Sequence, residues 1–242
     1  MGLEEFKEKL NLYLKEINIK LDEKQIKQFY DYMNLLLEWN EKINLTAITE
    51  KNEIILKHFV DSLTISKHIK QGAYMIDVGT GAGFPGIPIK IARKDVEVVL
   101  MDSLNKRINF LNDVIEKLGL KKIETIHSRA EELGRNKNYR EKFDVVTSRA
   151  VANLNTLSEY MLPFVKKGGV AICMKGSEVQ EELEKAKKAI SILGGTVGEV
   201  ESFVLPNSDI SRNVVMVKKV ENTPAKYPRK AGTPAKEPLV LD

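Results

Sequence analysis

Apolar side chains in the first 70 residues recur at intervals of three and four positions, which is the spacing of amphipathic helices. One such run spans residues 3–17, and a second spans residues 26–37. A third helix is predicted over residues 54–63. The polar stretch WNEKINLTAIT, residues 39–49, separates the second helix from the third and is interpreted as a structured loop. The pattern therefore predicts an N-terminal helical extension over residues 1–70.

After this extension, short β-rich runs alternate with stretches of helical periodicity. The apolar steps of residues 104–118 and 179–193 fit amphipathic helices between strands. Alternating strands and helices predict βαβ units and a parallel sheet. Near-continuous apolar runs such as VVLM indicate that both faces of the sheet are covered. The predicted strands are AYMIDV (73–78), VEVVLMD (96–102), KIETIH (122–127), FDVVTS (143–148) and GVAICMKG (169–176).

Two more strand-like runs, residues 196–204 and 213–219, follow the last of these helices with no helix between them. That arrangement favours an antiparallel pair that closes one edge of the sheet. The predicted fold is α/β: a Rossmann-like, mostly parallel sheet with an antiparallel edge strand, over residues 71–220.

The last segment, residues 221–242, differs in composition from the rest of the chain. It contains four of the eight prolines, and Lys226, Tyr227, Arg229 and Lys230 stand close together in it. Proline at this density disfavours helices and central strands, so the segment is predicted to be an extended basic arm. Composition leaves two alternatives open: a disordered, solvated tail, or an arm that packs on the body or contacts phosphate.

Composition narrows the class of protein. The 242 residues are 43% hydrophobic and 30% charged, as in ordinary soluble globular proteins, and a single cysteine excludes an internal disulfide. No apolar run approaches the roughly 18 residues of a membrane span. The N-terminal sequence MGLEEFKEKL does not resemble a signal peptide, so a cytoplasmic location without membrane contact is expected. The net charge of +4 permits a polyanionic partner without requiring one.

The stretch DVGTGAGFPG, residues 77–86, connects the first predicted strand to a helix and has the composition of a ligand-binding loop. A triphosphate-binding loop would end in Gly-Lys-Ser/Thr, but the first lysine here is Lys90. A dinucleotide-binding loop would place its third glycine where Phe84 stands. Pro85 and Pro88 also remove N–H groups that a pyrophosphate would need at the helix N-terminus. The loop therefore disfavours phosphate ligands.

S-adenosylmethionine has no phosphate, and its methionine end needs the close backbone approach that glycine permits. Asp77 is placed to meet the ammonium group of this ligand. Asp102, at the end of the second strand, is placed to accept hydrogen bonds from both ribose hydroxyls. Ser103 is expected to cap the next helix, and Ala130 and Glu131 are expected at the adenine edge. S-adenosylmethionine is therefore the predicted cofactor, and the glycines expected to approach it are Gly79, Gly81 and Gly83.

Several kinds of chemistry are disfavoured by what the chain lacks. The Asn/Asp-Pro-Pro-aromatic motif of amino-group methyltransferases is missing after the fourth strand, where residues 147–153 read TSRAVAN. Methylation at pyrimidine C5 needs a nucleophilic cysteine, but Cys173 lies inside an apolar strand. Acceptors with an exposed lone pair remain: guanine N7 in RNA or DNA, or a small-molecule or protein acceptor. These need positioning but no catalytic base. No metal site is predicted, and packing roles are expected for the histidines His58, His68 and His127.

Basic side chains at strand ends are the candidates for positioning. Arg149 ends the fourth predicted strand and is placed to orient the donor or the target base. Lys175 and Arg212 are candidates both for positioning and for contact with RNA, and Arg229 and Lys230 in the arm are further RNA-binding candidates. The alternative for each strand-end residue is a surface salt bridge, which contributes little to stability.

Motifs along almost the whole chain resemble, in order, those of the bacterial small-subunit ribosomal RNA methyltransferase G family, also called glucose-inhibited division protein B. The WN-K-NLTAI pattern and the PRKAGTPAKEPL tail are specific to this family rather than to methyltransferases in general. The first 25 residues and residues 134–142 match poorly. The matching segments are WNEKINLTAI (39–48), HFVDSL (58–63), DVGTGAGFPGIP (77–88), DSLNKRINFL (102–111), SRAEE (128–132), SRAVANL (148–154), KG (175–176) and YPRKAGTPAKEPL (227–239).

The resemblance implies a Rossmann-like S-adenosylmethionine-dependent methyltransferase with an N-terminal helical extension. It also implies N7 methylation of one guanine in 16S ribosomal RNA, near the decoding region. The expected partner is 16S rRNA or the assembling small subunit, and the expected state is a monomer. Alternatives are a donor-binding, RNA-associated module without turnover, and a small-molecule methyltransferase. Donor contacts in the family fall here on Gly79, Phe84, Asp102, Ser103, Leu104, Ala130, Glu131 and Arg149.

Overall fold

Seven strands form one sheet in the computed structural model, which describes residues 1–149, 151–177 and 179–239. The strands are β1 (Tyr74–Val78), β2 (Glu97–Asp102), β3 (Ile123–His127), β4 (Phe143–Arg149), β5 (Val165–Lys175), β6 (Gly195–Val204) and β7 (Ser211–Lys219). Their order in the sheet is β3-β2-β1-β4-β5-β7-β6. Strands β1 to β5 run parallel, whereas β7 runs antiparallel to β5 and β6. The predicted Rossmann-like fold with an antiparallel edge is confirmed.

The strand order reverses between β1 and β4, and this reversal fixes where a ligand can bind. Because β1 pairs with β2 on one side and β4 on the other, the segments after β1 and β4 diverge to opposite faces of the sheet. Open α/β sheets bind ligands in the crevice that such a reversal creates at the carboxyl ends of the strands. The glycine loop follows β1 directly, so it borders this crevice.

Ten α-helices accompany the sheet in the described residues, and none of them is long and apolar enough to cross a membrane. They are α1 (Leu3–Glu16), α2 (Glu23–Asn40), α3 (Lys51–Ile54), α4 (Asp61–Leu63), α5 (Gly86–Ala92), α6 (Asn105–Lys117), α7 (Ala130–Leu133), α8 (Leu154–Met161), α9 (Gln180–Ile192) and α10 (Thr233–Lys236). A π-helical segment, Ile55–Val60, joins α3 to α4, and a 3₁₀ segment, Thr64–His68, follows α4. The predicted third helix is therefore helical throughout but has one wide turn, a feature often found at functional sites.

The N-terminal helices pack on one face of the sheet through a buried aromatic cluster. The ring of Tyr32, on α2, lies 5.4 Å from that of Phe59 and 5.5 Å from that of Phe84, between centroids. The Tyr32 hydroxyl donates a hydrogen bond to the carbonyl of Ala82, inside the glycine loop. Helices α8 and α9 cover the opposite face. The helical extension is thus packed directly against the loop that borders the crevice.

The C-terminal arm packs on the body over residues 221–239. Tyr227 is buried in the core on the α8–α9 face. Arg140 holds the arm by donating to the carbonyls of Tyr227 and Thr223, each at 2.7 Å. Arg229 pairs with the buried carboxylate of Glu159 at 2.7 Å. Of the two sequence-based alternatives, the structure has the packed arm; the last three residues of the predicted arm lie outside the described residues.

Candidate functional site

The glycine loop after β1 has a backbone that only glycine adopts without strain. Gly79, Gly81 and Gly83 have φ values of 69°, 61° and 97°, in the left-handed region that side chains disfavour. A Cβ atom at Gly79 would also lie 2.7 Å from Cγ2 of Val151, and one at Gly83 would lie 2.6 Å from Cδ1 of Ile87. No heavy atom of the described residues lies within 4 Å of a Cβ built at Gly81. The loop therefore presents bare backbone to open space at Gly81.

Asp77 supports this loop from below. Its side chain is fully buried and accepts hydrogen bonds from Thr80 Oγ1 at 2.7 Å, the Gly86 amide at 2.9 Å and Thr147 Oγ1 at 3.3 Å. Burial raises the pKa of the Asp77 carboxyl to about 6, although these hydrogen bonds act to lower it. Asp77 was expected to contact the ammonium group of the ligand. It does not line the cavity beside the loop, which is described next. Its partners are the loop and the neighbouring strand.

A cavity of about 390 Å³ lies above the loop, and we call it the loop cavity. Asp102 is 2% exposed at its rim and accepts from the amides of Gly81 and Leu104, each at 2.9 Å. Arg107 pairs with the same carboxylate at 3.2 Å, and its Nε is a buried nitrogen without a partner among the described residues. The cavity thus joins backbone N–H groups, a carboxylate and an unsatisfied donor. Its lining comprises Leu45, Thr46, His58, Gly79, Thr80, Gly81, Ala82, Phe84, Asp102, Ser103, Arg107, Arg149 and Val151.

Several predicted site residues lie outside this lining. Leu104 is 42% exposed and occupies the N-cap position of α6, where no side chain caps the helix. The expected cap from Ser103 is wrong, because α6 begins at Asn105 and its N-cap residue is Leu104 rather than Ser103. Ala130 and Glu131 begin α7, close to the end of β3, whose last residue pairs with Asp102. Gly83 is likewise absent from the cavity lining, because its surroundings are Tyr32 and Ile87.

Glu131 connects the arm to this side of the molecule. Its side chain is 6% exposed, and Oε1 accepts a hydrogen bond from the Gly232 amide at 2.8 Å. The arm therefore lies beside the segment that was expected to border the adenine, a relationship that residue spacing alone does not reveal.

A second cavity, of about 310 Å³, adjoins the first. It lies where β4 and β5 end and where antiparallel β7 begins, which brings Arg149, Lys175 and Arg212 to one edge of the sheet. His58 and Arg149 line both cavities and so form a shared wall between them. The lining of the second cavity comprises Ile48, Lys57, His58, Asp61, Arg149, Met174, Lys175, Gly176 and Arg212.

One buried carboxylate binds both of these arginines. Asp61 is 2% exposed, and its oxygens accept from Arg149 Nη1 at 3.2 Å and from Arg212 Nε at 3.2 and 3.3 Å. Arg149 also donates to the carbonyl of Lys57, in the π-helical segment, at 3.0 Å. Burial lowers the pKa of the Arg149 guanidinium from its usual value, and the charge of Asp61 opposes this shift. The two arginines are therefore fixed in place by a buried ion pair rather than by surface salt bridges.

His58 occupies the centre of the shared wall. Its ring stacks on Phe84 with centroids 4.4 Å apart and an interplanar angle of 15°, and the Arg149 guanidinium lies 5.0 Å from the centroid of the Phe84 ring. His58 Nδ1 lies 3.1 Å from Arg149 Nη2, and Nε2 lies 2.8 Å from Thr46 Oγ1. Burial, together with the charge of Arg149, lowers the pKa of His58 to about 3, so the ring is neutral. Packing was expected for His58, but its place in the wall was not.

The sequence assigned no functional role to His58, Thr46, Asp61 or Arg107, although all four lie in the quoted motifs. For His58 and Asp61 the available signal was polarity within the otherwise apolar segment HFVDSL; Thr46 and Arg107 stand in polar stretches and carry no such signal. Such a signal has many structural explanations when it is considered alone.

The other basic residues predicted to contact RNA differ in whether their charged groups already have partners within the protein. Lys175 pairs with Glu182 at 2.7 Å and donates to the carbonyl of Ala152 at the same distance. Arg229 is paired with Glu159, as described above. Lys230 is exposed. Within the described residues, no group of three or more His, Cys, Asp and Glu side chains is arranged to hold a metal ion.

Comparisons with solved structures agree with the fold. Among solved structures, precorrin-6y C5,15-methyltransferase from Geobacter metallireducens covers 73% of this chain and 91% of its own, with a TM-score of 0.50 and 14% identity. M. jannaschii TYW2, solved in complex with AdoMet, covers 66% of this chain and 75% of its own, with a TM-score of 0.52 and 15% identity. At these identities the likeness establishes the fold alone.

Sequence relatives are much more similar. "Ribosomal RNA small subunit methyltransferase G" of Acetivibrio thermocellus is 56% identical over 91% of both chains. The protein of that name from Clostridium novyi is 52% identical over 96% of both chains. The family model described as "GidB: rRNA small subunit methyltransferase G" matches residues 25–215. The chain that carries these two cavities therefore belongs to the rRNA small subunit methyltransferase G family.

Proposed function

We propose that this protein transfers a methyl group from S-adenosylmethionine to N7 of one guanine in 16S ribosomal RNA. The observation that carries the proposal is the pair of adjoining cavities with a common wall of His58 and Arg149. Direct transfer requires the methyl group of the donor and the acceptor nitrogen to touch, so the two ligands would meet where the cavities adjoin, beside His58 and Arg149 rather than across them. The ribosomal RNA substrate is inferred from the names of the relatives, and guanine N7 as the methylated atom is inferred from the family resemblance.

The loop cavity suits the donor. The backbone at Gly79 and Gly81 allows close approach, and the Asp102 carboxylate is the acceptor available for ribose hydroxyls. The partnerless Nε of Arg107 would be satisfied by an oxygen of the ligand. Phe84 and Ser103 complete the contacts, and the adenine extends toward Ala130 and Glu131 beside β3. When bound, S-adenosylmethionine supplies a methyl group made electrophilic by its sulfonium.

The second cavity suits a purine acceptor. Guanine N7 has an unprotonated lone pair in its ordinary state, so no residue has to remove a proton before transfer. Arginine pairs naturally with the O6 and N7 edge of guanine. We assign Arg212 to O6, which leaves N7 free to face the methyl group of the donor where the two cavities adjoin, beside His58 and Arg149. The chain then contributes orientation and exclusion of water, and such positioning can supply much of the rate enhancement.

The partner is 16S rRNA or the assembling small subunit. Exposed Lys230 on the packed arm is the basic side chain we assign to phosphate contact, because Lys175 and Arg229 already have carboxylate partners. We further propose that the protein acts as a monomer in the cytoplasm.

The test uses purified protein, S-adenosylmethionine with an isotopically labelled methyl group, and small subunits from cells that lack the protein. Nuclease digestion and mass spectrometry should find one labelled 7-methylguanosine in the 16S rRNA. Tight donor binding without label in RNA would support a binding module without turnover. Label confined to small molecules, insensitive to salt, would support a small-molecule methyltransferase.

A further inference from the structure

The Thr46 side chain is held firmly in the wall of the loop cavity. Asn40 Oδ1 accepts from the amides of Leu45 and Thr46 at 2.8 and 2.9 Å, and Asn40 Nδ2 donates to the Thr46 carbonyl at 3.0 Å. Thr46 Oγ1 also accepts from the Ile48 amide at 3.0 Å. The WNEKINLTAIT loop is thus shaped around this threonine, whose side chain lines the loop cavity.

The neighbouring Arg149 determines which nitrogen of His58 carries the proton. A guanidinium can only donate hydrogen bonds. Since Arg149 Nη2 lies 3.1 Å from His58 Nδ1, Nδ1 is the acceptor. The neutral ring therefore carries its proton on Nε2. That proton points to Thr46 Oγ1, 2.8 Å away.

This tautomer leaves the Thr46 hydroxyl proton without an acceptor. Oγ1 already accepts two hydrogen bonds, from His58 Nε2 and from the Ile48 amide, which occupies both of its lone pairs. Among the residues that the structure describes, no acceptor is hydrogen-bonded to the hydroxyl of Thr46. A polar hydrogen at a cavity wall is a directional donor for a ligand.

We propose that the Thr46 hydroxyl donates a hydrogen bond to the carboxylate of the methionine part of the methyl donor. This inference rests on the proposed function. Asp102, Ser103 and Arg107 mark the ribose end of the loop cavity, so the methionine end lies toward Thr46, His58 and Arg149. The carboxylate is the anionic acceptor at that end, and the positive charge of Arg149 favours it. His58 is a positioning residue, because it turns the hydroxyl proton of Thr46 toward the ligand.

Two matched substitutions and two matched ligands test the hydrogen bond. Thr46→Val keeps the shape of the side chain and removes the hydroxyl, whereas Thr46→Ser keeps the hydroxyl. Decarboxylated S-adenosylmethionine keeps the sulfonium and the amine but lacks the carboxylate. By calorimetry, Thr46→Val should bind S-adenosylmethionine about tenfold to a hundredfold more weakly than wild type, as expected for a lost hydrogen bond to a charged group. Thr46→Ser should retain wild-type affinity.

The decarboxylated ligand separates this contact from general damage to the wall. Wild type and Thr46→Val should bind it equally. Equal weakening of both ligands in Thr46→Val would overturn the proposal, as would unchanged affinity for S-adenosylmethionine. If wild type binds both ligands equally well, the carboxylate contact is wrong while the donor function stands. If wild type binds neither, the proposed function itself fails.

A second measurement does not depend on donor binding. The ¹⁵N chemical shifts of the His58 imidazole distinguish a neutral ring protonated on Nε2 from the other tautomer and from the imidazolium. We expect the Nε2 tautomer in the free protein at neutral pH. A proton on Nδ1 would remove the reason for the direction of the Thr46 hydroxyl and would contradict the proposal.

Discussion

The two cavities share a wall but are built by different means. The loop cavity is shaped largely by backbone: Gly79 and Gly81 with positive φ, amide groups and one carboxylate at a strand end. The second cavity is shaped by charged side chains that are largely buried, because the Asp61 carboxylate forms ion pairs with Arg149 and Arg212. A backbone cradle is sensitive to the loss of glycine or of a ligand contact. A buried ion pair is sensitive to the loss of a single charge, because the remaining charges then lack compensation.

The largest expected effect is on the free energy of unfolding, when the charge of Asp61 in the second cavity is removed. Asp61→Asn keeps the size of the side chain but leaves two partly buried guanidinium groups without a counter-charge. The free energy of unfolding should fall by about 3 kcal/mol, the lower end of the range for breaking a buried pair. Urea denaturation measures it.

The matched control is Glu184→Gln, which breaks the surface pair with Lys187 at 2.7 Å, where both side chains are 53% exposed. That change should lower the free energy of unfolding by less than about 0.5 kcal/mol. Similar values for the two variants would mean that Asp61 does not hold the second cavity together.

The next effect is on the loop cavity and on binding rather than stability. Asp102→Ala removes the acceptor assigned to the ribose hydroxyls, and donor binding should weaken by about 1–3 kcal/mol. Calorimetry with S-adenosylmethionine measures it. Asp31→Ala, which removes an exposed partner of Lys27 on α2, serves as the control and should bind the donor normally. Unchanged affinity in Asp102→Ala would remove Asp102 from the donor site.

The shared wall should make stability fall in acid. The pKa of His58 is lowered to about 3 in the folded protein, from an unfolded value of 6.5. The unfolded chain therefore takes up a proton first as pH falls through 6.5, and the contribution of His58 to the free energy of unfolding should fall by about 2 kcal/mol between pH 6.5 and 5. His58→Gln should abolish this part of the slope, whereas His127→Gln, at an exposed histidine, should keep it. An identical slope in His58→Gln and wild type would mean that folding does not lower the pKa of the wall histidine.

The smallest expected effect on stability has the opposite pH dependence and comes from Asp77, which supports the glycine loop. The pKa of Asp77 is raised from 3.8 to about 6, so the folded protein holds this proton more tightly than the unfolded chain does. Stability should therefore fall as pH rises, by about 1 kcal/mol between pH 5 and 6 from this group. The contribution is the difference in slope between wild type and Asp77→Asn in denaturant titrations. A variant with the wild-type slope would show that Asp77 is ionised throughout.

The difference between a cavity built by a local backbone loop and one built by distant side chains also explains what the sequence could predict. The glycines of the loop lie within a few residues of one another, and their spacing disfavoured phosphate ligands without any tertiary information. Asp102 was predictable because it ends a strand at a fixed distance from the loop. The alternation of strands and helices likewise predicted the sheet and its antiparallel edge.

Arg149, Lys175 and Arg212 were predicted as positioning candidates from their places at strand ends. The ion pair that builds the second cavity could not be predicted, because its residues meet only in the folded chain. Asp61 and Arg212 are 151 positions apart, and the contact depends on β7 running antiparallel to β5. A carboxylate inside HFVDSL gives no local sign that it is buried. Arg229 shows the reverse problem. Its basic sequence neighbours predicted a contact with RNA, whereas in the folded arm its guanidinium forms an ion pair with the Glu159 carboxylate.

The central claim is that the two cavities together methylate one guanine at N7. The most direct test is a map of 7-methylguanosine in 16S rRNA from cells that lack this protein, with and without the wild-type gene restored. We predict that one guanine loses its methyl group in the deletion strain and regains it when wild type is supplied. If every N7-methylated guanine keeps its methyl group in the deletion strain, the account is contradicted.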